Sequence, residues 1–190
     1  MKKELDLGKE KIGKLLLAFS VPCIISMIIN SIYNIVDQIF IGKGVGIIGN
    51  AATNVIFPIV IICNALAGLV GNGAAANLSL RLGEGKKDEA KKSIGSSITL
   101  LFIISILVVI IFELLLPNLV YAFGCTKNVY SSAMTYGRII VFGSFFMIIY
   151  SGLSQIIRAD GSPKYSMVCL LVGAILNIIL DPIFIFTFNM

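Results

Sequence analysis

The chain has 190 residues, of which 57% are hydrophobic and 13% are charged, and its formal net charge is +5. A soluble domain is typically about 45–50% apolar and about 25% charged, so this composition excludes a soluble globular domain. The basic residues lie in short hydrophilic stretches between apolar runs, which indicates a topology signal and not a nucleic-acid surface. We therefore expect an all-α integral membrane protein that contacts the lipid bilayer and binds no nucleic acid.

Five apolar runs are long enough to cross a bilayer, which takes about 20 residues per helix. The predicted spans cover approximately residues 15–41, 52–80, 94–116, 132–157 and 165–188. The separators between them are GKGVGIIGN, RLGEGKKDEAKK, PNLVYAFGCTKN and RADGSPK. The run after the basic start is longer than the core of a signal peptide, about 7–15 residues, so we predict that the first span is retained.

The distribution of Lys and Arg predicts the orientation of the spans. One side of the membrane receives twelve of these residues: Lys2, Lys3, Lys9, Lys11, Lys14, Arg81, Lys86, Lys87, Lys91, Lys92, Arg158 and Lys164. The other side receives three: Lys43, Lys127 and Arg138. By the positive-inside rule, we expect a multi-pass protein of the cell membrane with a cytoplasmic N-terminus.

The residue types that commonly hold metals or cofactors are scarce. The chain has no histidine, which removes His-based metal sites and proton relays from consideration. Its four cysteines form no C-x-x-C pair, and we interpret them as small hydrophobic residues. We expect no cofactor and no bound metal other than a possible Na⁺.

Polar residues inside the first and fifth spans point to a site. Asn30, Asn34 and Asp37 follow i, i+4, i+7 spacing and line one helical face of the first span. In the fifth span, Asn177 and Asp181 are one turn apart. Both aspartates lie toward the outer ends of their helices, so we predict that the two spans pack together and bring the carboxylates to a common cavity.

Two prolines are predicted to bend these helices. Pro182 has no N–H, so the carbonyl of Ile178 loses its helical donor and needs another partner, such as a cation or water. Pro22 does the same to the carbonyl of Ala18 in the first span. Two carboxylates, amide oxygens and a freed carbonyl form an all-oxygen environment, which suits a hard cation or a shared proton.

Packing alone offers an alternative explanation for such polar residues. A single Asn in a span usually makes a packing hydrogen bond, and an Asp near a span end can be interfacial. Two aspartates on separate spans, each preceded by an Asn about a turn earlier, favour a functional site, because intramembrane carboxylates are costly.

Several other residues are weaker candidates. Asn64 could line a cavity or pack between helices, with equal weight. Glu113 is expected at the interface, and Arg138 is expected to extend outward or pair with an acid. A group of small residues in the second span is predicted to allow close helix approach: Gly68, Gly71, Gly73 and Ala74–Ala76.

With these residues in view, the whole chain resembles the N-terminal part of a multidrug and toxic compound extrusion (MATE) transporter of the DinF-like branch. The resemblance is carried by VPCIISMIINSIYNIVDQIFIG, RLGEGKKDEAKKS, AMTYGRII and RADGSPKYSMVCLLVGAILNIILDPIFIF. The combination of N-x-x-x-D-P in the fifth span with Asp in the first is the specific part of this match.

The resemblance implies an antiporter in which Na⁺ or H⁺ enters while an organic, often cationic, compound leaves. It implies that Asp37, Asn177 and Asp181 form the cation or proton site, and that the bend at Pro22 responds to protonation. No enzymatic activity is implied. The family has twelve spans in two six-span lobes, so these five spans form most of one lobe. We expect the chain to lack the C-terminal lobe and to be a fragment that does not transport alone.

Two other functions remain open at this stage. A lipid-linked oligosaccharide flippase has a related architecture, but a strongly cationic central cavity would favour it, and the spans carry one arginine against two or three acids. A membrane-embedded aspartyl protease also uses two aspartates on two helices. Its G-x-G-D context is missing here, because Asp181 follows Ile-Ile-Leu and Asp37 follows Ile-Val.

Overall fold

The computed structural model describes residues 11–187, except for the side chains of residues 186 and 187. Lys2, Lys3, Lys9 and the end of the fifth predicted span at residue 188 lie outside the described residues. The described chain is all-helical, and its helices are α1 (Ile12–Gly44), α2 (Gly46–Gly83), α3 (Lys87–Ala122), α4 (Lys127–Ala159), α5 (Pro163–Pro182) and a π-helical segment, Ile183–Thr187.

All five α-helices are long and apolar enough to cross a membrane. Their exposed surface carries many large aliphatic side chains, such as Leu69, which is 73% exposed, and Leu114, which is 74% exposed. Surfaces of this kind suit lipid or the helices of a membrane protein, where no water penalises an exposed Leu or Ile. The prediction of an all-α membrane protein with five spans is therefore confirmed.

The first four helices extend beyond their predicted spans at both ends, α5 begins two residues before its span, and the separators are shorter than predicted. Pro117 was assigned to a separator, but α3 continues through it to Ala122. At the other end of the same helix, Lys91 and Lys92 lie inside α3 and not in a loop. Hydropathy marks where a helix leaves the hydrocarbon, whereas the backbone hydrogen bonds continue into the polar layer.

A glycine with a positive φ angle lies in each turn between helices or directly after it. In the tightest turn, Val45 alone separates α1 from α2, and Gly46 follows with φ 78°. Gly161 has φ 81° in the turn between α4 and α5, within the stretch RADGSPK. Such angles are readily available to glycine alone, which allows long helices to reverse direction within a few residues.

The chain divides into two compact units, one within Ile41–Ile156 and the other formed by the residues before and after it. In the Ile41–Ile156 unit, α2, α3 and α4 pack around a buried core. Its fully buried side chains are mostly aliphatic: Ile56, Ile59, Cys63, Leu101, Leu116, Val120, Val141 and Ile148.

One helix contact in this unit depends on glycine. A Cβ placed on Gly71 of α2 would lie 2.8 Å from the carbonyl oxygen of Gly152 in α4. Among residues 11–187, a Cβ on Gly73 would meet no atom within 4 Å, and a Cβ on Gly68 would meet the Asn72 side chain at 3.6 Å. The predicted close approach is thus confirmed at Gly71, whereas Gly68 and Gly73 do not face a neighbouring backbone within these residues.

The second unit contains α1 up to Phe40, the end of α4 from Ile157, α5 and the π-helical segment. Its buried positions are small or polar, among them Pro22, Ser26, Ser166 and Ala174. The polar residues that the sequence places in the first and fifth spans belong to this unit.

Candidate functional site

The structure brings the carboxyl groups of Asp37 and Asp181 together. Asp37 lies on α1 and Asp181 on the last turn of α5, and both side chains are half-buried. The two groups interact electrostatically and lie within hydrogen-bonding reach of each other. Two carboxylates within hydrogen-bonding reach of each other repel strongly in a medium of low dielectric constant. The pair is therefore arranged to take up a proton or another positive charge.

Asn177 holds one of the two carboxylates in place. Its side-chain nitrogen Nδ2 donates a hydrogen bond to Oδ1 of Asp181 over 3.0 Å, across one helical turn. This bond orients the Asn177 amide, so that its oxygen Oδ1 points away from the bonded carboxylate oxygen. Oδ1 of Asn177 and Oδ2 of Asp181 are buried and have no hydrogen-bond donor in the described part of the chain. Buried acceptors without donors suit a bound cation or a proton.

Tyr33 also belongs to this site, although its place there was not predicted from the sequence. It lies one turn before Asp37 on α1, and its hydroxyl group is close enough to interact electrostatically with both Asp37 and Asp181. The sequence feature that could have identified Tyr33 is its i, i+4 spacing from Asp37. A tyrosine in a span also fits an interfacial aromatic belt, so the spacing alone did not single it out.

Asn30 and Asn34 bind each other and make no hydrogen bond to the carboxylate pair in residues 11–187. Nδ2 of Asn34 donates to both oxygens of Asn30, to the backbone O over 2.6 Å and to Oδ1 over 2.8 Å. Both side chains are exposed in this structure. Asn64 is exposed as well, and its Nδ2 donates to the backbone O of Val60 over 3.1 Å. It belongs to the Ile41–Ile156 unit, and its role as a cavity-lining residue stays a prediction.

The two prolines have different surroundings. After Pro182, the backbone changes from α-helical to π-helical hydrogen bonding over Ile183–Thr187, directly after the ring that lacks an N–H. Local π-helix frequently occurs at functional sites, where it redirects side chains. Pro22 is buried within α1, and its carbonyl accepts a hydrogen bond from Ser26 Oγ over 2.7 Å. Its role as a bend that responds to protonation stays a prediction.

Glu113 and Arg138 form a separate ion pair in the Ile41–Ile156 unit. Arg138 Nε lies 3.5 Å from Glu113 Oε1, and the arginine side chain is 62% exposed. The expectation that Arg138 extends outward or pairs with an acid is met by the pairing with Glu113. An ion pair this exposed contributes little to stability, about 0–1 kcal/mol.

The fold and the site together define a class of protein. Five spanning helices with a carboxylate pair inside the spans are typical of polytopic membrane proteins that move ions or solutes, because intramembrane acids mark such pathways. The family model MatE matches residues 22–183, and the chain belongs to this family of transporters.

Relatives with this architecture support the assignment. The Multidrug export protein MepA of Staphylococcus aureus (strain NCTC 8325 / PS 47) is 32% identical over 184 residues, which is 96% of this chain and 40% of that protein. The Probable multidrug resistance protein YoeA of Bacillus subtilis (strain 168) is 23% identical over 94% of this chain and 38% of that protein. A solved structure of the MATE multidrug transporter DinF-BH superposes with a TM-score of 0.92 and 38% identity, over 100% of this chain and 43% of that one.

The resemblance to MATE transporters of the DinF-like branch is thereby confirmed. The chain spans about two-fifths of the length of the curated relatives it matches. Five helices therefore correspond to part of a longer transporter architecture, and the sites that the relatives build from their remaining residues are not represented in these 190 residues.

Proposed function

We propose that this chain forms part of a cation-coupled antiporter, in which entry of Na⁺ or H⁺ drives export of organic, often cationic, compounds across the cell membrane. The observation that carries the proposal is the meeting of Asp37, Asn177 and Asp181, with two buried oxygens that lack donors among the described residues. The expected C-terminal lobe would complete the transport pathway, because alternating access requires two bundles that move relative to each other.

The charge of the site favours a monovalent coupling ion. Two adjacent carboxylates within the membrane hold one positive charge well, since a single proton or Na⁺ relieves their repulsion. No group of three or more His, Cys, Asp or Glu side chains able to hold a metal ion occurs among residues 11–187. The oxygen set of two carboxylates and one amide fits Na⁺ as well as a shared proton, and both stay within the proposal.

The residues have separate roles in this proposal. Asp37 of α1 and Asp181 of α5 bind the coupling ion together. Ion binding therefore holds the two helices close to each other at the level of these aspartates. Asn177 holds Asp181 in a fixed orientation and offers its own oxygen to the ion. Release of the ion leaves two like charges facing each other, and their repulsion favours separation of the helices at this level.

The identity of the transported compound is proposed from the relatives. MepA is a multidrug export protein by name, and DinF-BH is a multidrug transporter by name. Export of organic compounds is therefore favoured over the flippase alternative. The intramembrane protease alternative is disfavoured, because the chain belongs to a family of transporters.

The proposed orientation places the N-terminus in the cytoplasm. The support is the distribution of Lys and Arg, twelve on one side against three on the other. It follows that the Asp37–Asp181 pair lies in the outer half of the membrane, and the turn between α4 and α5 at the cytoplasmic end.

Substitution of the carboxylates in the complete transporter tests the coupling proposal. Asp37→Asn or Asp181→Asn keeps the size and one acceptor oxygen but removes the charge, so gradient-driven efflux should fall to background in each variant. Asn177→Ala should reduce efflux less, because it removes one neutral amide. The measurement is dye efflux from energised vesicles, with the amount of inserted protein matched by immunoblot.

Glu113→Gln is the matched control, because it also neutralises one acid within a spanning helix, outside the carboxylate pair. It should leave efflux close to the wild-type rate. Wild-type transport by Asp181→Asn together with loss of transport in Glu113→Gln would place the coupling ion elsewhere and refute the proposal.

A further inference from the structure

The exposed side of α2 carries two different surfaces. The first, which we call the amide strip, consists of exposed polar side chains that recur along the helix: Asn54, Asn64, Asn72 and Ser79. At 100° per residue, these four positions lie within about 80° of one another on the helix circumference. The second surface contains Ile62 and Leu69, which are 40% and 73% exposed and lie about 20° apart. Amides therefore follow one edge of the exposed side, and large aliphatic side chains follow the other.

The amides of the strip use only part of their hydrogen-bonding capacity. Nδ2 of Asn54 donates to the backbone O of Asn50 over 2.9 Å, and Nδ2 of Asn64 donates to the backbone O of Val60 over 3.1 Å. Each amide keeps its oxygen Oδ1 and a second N–H without a partner in residues 11–187. Unpaired amides are costly in hydrocarbon, so this surface does not suit lipid.

The strip is long enough to cross the whole hydrocarbon core. Asn54 and Ser79 are 25 residues apart in the sequence, which is about 37 Å along the helix, whereas the hydrocarbon core is about 30 Å thick. Packed helices in membranes cross at about 20–40° and diverge away from the crossing point. One neighbouring helix would therefore cover the amides near its crossing point and leave those at the ends of the strip unpaired. Water satisfies an amide at any depth, so a hydrated surface accounts for the whole strip.

The strip combines neutral polar groups with apolar side chains. No Asp, Glu, Lys or Arg occurs in residues 44–80. Phe57 and Ile61 lie on the same side of α2 as the amides, and they are 56% and 52% exposed. Amides hydrogen-bond the polar groups of an organic compound, and the aromatic ring and aliphatic chain contact its apolar part, which is the usual composition of small-molecule sites. A surface without charge suits the passage of such a compound and not the binding of the coupling ion.

We propose that the amide strip of α2 lines the water-filled path along which the exported organic compound crosses the membrane. Asn64 and Asn72 hydrogen-bond water or the polar groups of the compound, and Phe57 contacts its apolar part. The inference rests on the proposed export function. It uses only α2, in the Ile41–Ile156 unit, and none of the residues assigned to the coupling ion.

Paired single-cysteine variants of the complete transporter, with the native cysteines replaced, test whether the strip is hydrated. Asn64→Cys is compared with Ile62→Cys, and Asn72→Cys with Leu69→Cys. The members of each pair are exposed on the same helix and differ in depth by only about 3–5 Å. A thiol reacts as its thiolate, which forms in water and is suppressed in apolar surroundings. A charged methanethiosulfonate reagent, applied to both sides of the membrane, should therefore modify the strip variants at least about tenfold faster than their partners.

Protection by an exported compound distinguishes the export path from a hydrated surface elsewhere. Ethidium, an aromatic organic cation, serves both as the dye of the efflux assay and as the protecting compound. It should slow the modification of Asn64→Cys and Asn72→Cys several-fold and leave the rates of Ile62→Cys and Leu69→Cys unchanged. The two pairs lie at different depths, so the second keeps the test decisive if a variant of the first does not fold.

Two results would overturn the inference. Equal rates within both pairs would show that the strip packs against other helices or lipid and is not hydrated. Fast modification of the strip that ethidium does not slow would show a hydrated surface outside the export path. The rates are measured without an ion gradient, so they do not depend on coupling. Loss of efflux in Asp181→Asn together with equal rates within both pairs would leave the proposed function intact and refute the role of the strip alone.

Discussion

Substitution of Gly71 by alanine tests the packing of the Ile41–Ile156 unit at a contact between two helix backbones. The added Cβ would lie 2.8 Å from the carbonyl oxygen and 2.9 Å from the Cα of Gly152, both of them backbone atoms. Carbon atoms pack at about 3.5–4.0 Å, so α2 and α4 would have to separate by roughly half an ångström or more. Backbone atoms cannot avoid the clash by changing rotamer, as the end of a side chain could.

The expected cost follows from the measured effects of overpacking. Extra methyl groups in a well-packed core typically destabilise a protein by about 1–3 kcal/mol. The ratio of folded to unfolded protein should therefore fall by about 5- to 150-fold. Gly73→Ala adds the same methyl group on the same helix, with no atom of residues 11–187 within 4 Å of the new Cβ. It should leave the stability unchanged or raise it slightly, because alanine has a higher helix propensity than glycine.

The assay uses Cys63, which is fully buried in the core of this unit. With the other three cysteines replaced, the rate at which a small thiol reagent modifies Cys63 in detergent reports how often the unit opens. Gly71→Ala should accelerate this modification, and Gly73→Ala should not. Equal rates in the two variants, or slower modification in Gly71→Ala than in the parent protein, would show that the helices do not meet at Gly71 as described.

Two further predictions concern topology and the carboxylate pair. Cys125 lies in the turn between α3 and α4 and is partly exposed. In a variant that retains Cys125 as its only cysteine, a membrane-impermeant thiol reagent should label this residue in intact cells. Labelling only after lysis would reverse the proposed orientation. Tyr33→Phe should slow gradient-driven efflux by the complete transporter several-fold while leaving some transport, because it removes one hydroxyl near both carboxylates but neither charge. Efflux at the wild-type rate in Tyr33→Phe would remove Tyr33 from the site.

The carboxylate pair shows how much of the candidate site could be predicted from the sequence. Asp37, Asn177 and Asp181 were selected because a polar group inside a long apolar run is costly and needs a reason. That reasoning uses only residue type and spacing, so it needs no tertiary structure. It did not select Tyr33, because the polar atom of a tyrosine lies at the end of a ring that is equally suited to the membrane interface. Only the packing of α1 against α5 places this hydroxyl near both acids.

The small residues of α2 show what the sequence could not predict, namely which of them contacts another helix. Gly68, Gly71 and Gly73 look alike in the sequence, yet within residues 11–187 only Gly71 of these three approaches another backbone. Which side of a helix meets its neighbour depends on the rotation of that helix in the unit. In a membrane this rotation is poorly encoded in hydropathy, because lipid-facing and buried positions are both apolar.

Composition, the lengths of the apolar runs and the positions of charges were sufficient to determine a five-span, all-helical membrane protein with two intramembrane aspartates, because the bilayer imposes these features on each segment separately. The tertiary structure decided which polar residues share a site. It brought Asp181 to Asp37 and placed Arg158, in the last turn of α4, in a cleft with Ser26 of α1. The Asn177–Asp181 and Asn30–Asn34 bonds, by contrast, each join residues one turn apart on a single helix. The pairings between α1, α4 and α5 join residues of different helices, and the distances between helices are set by packing, which no single segment of the sequence contains.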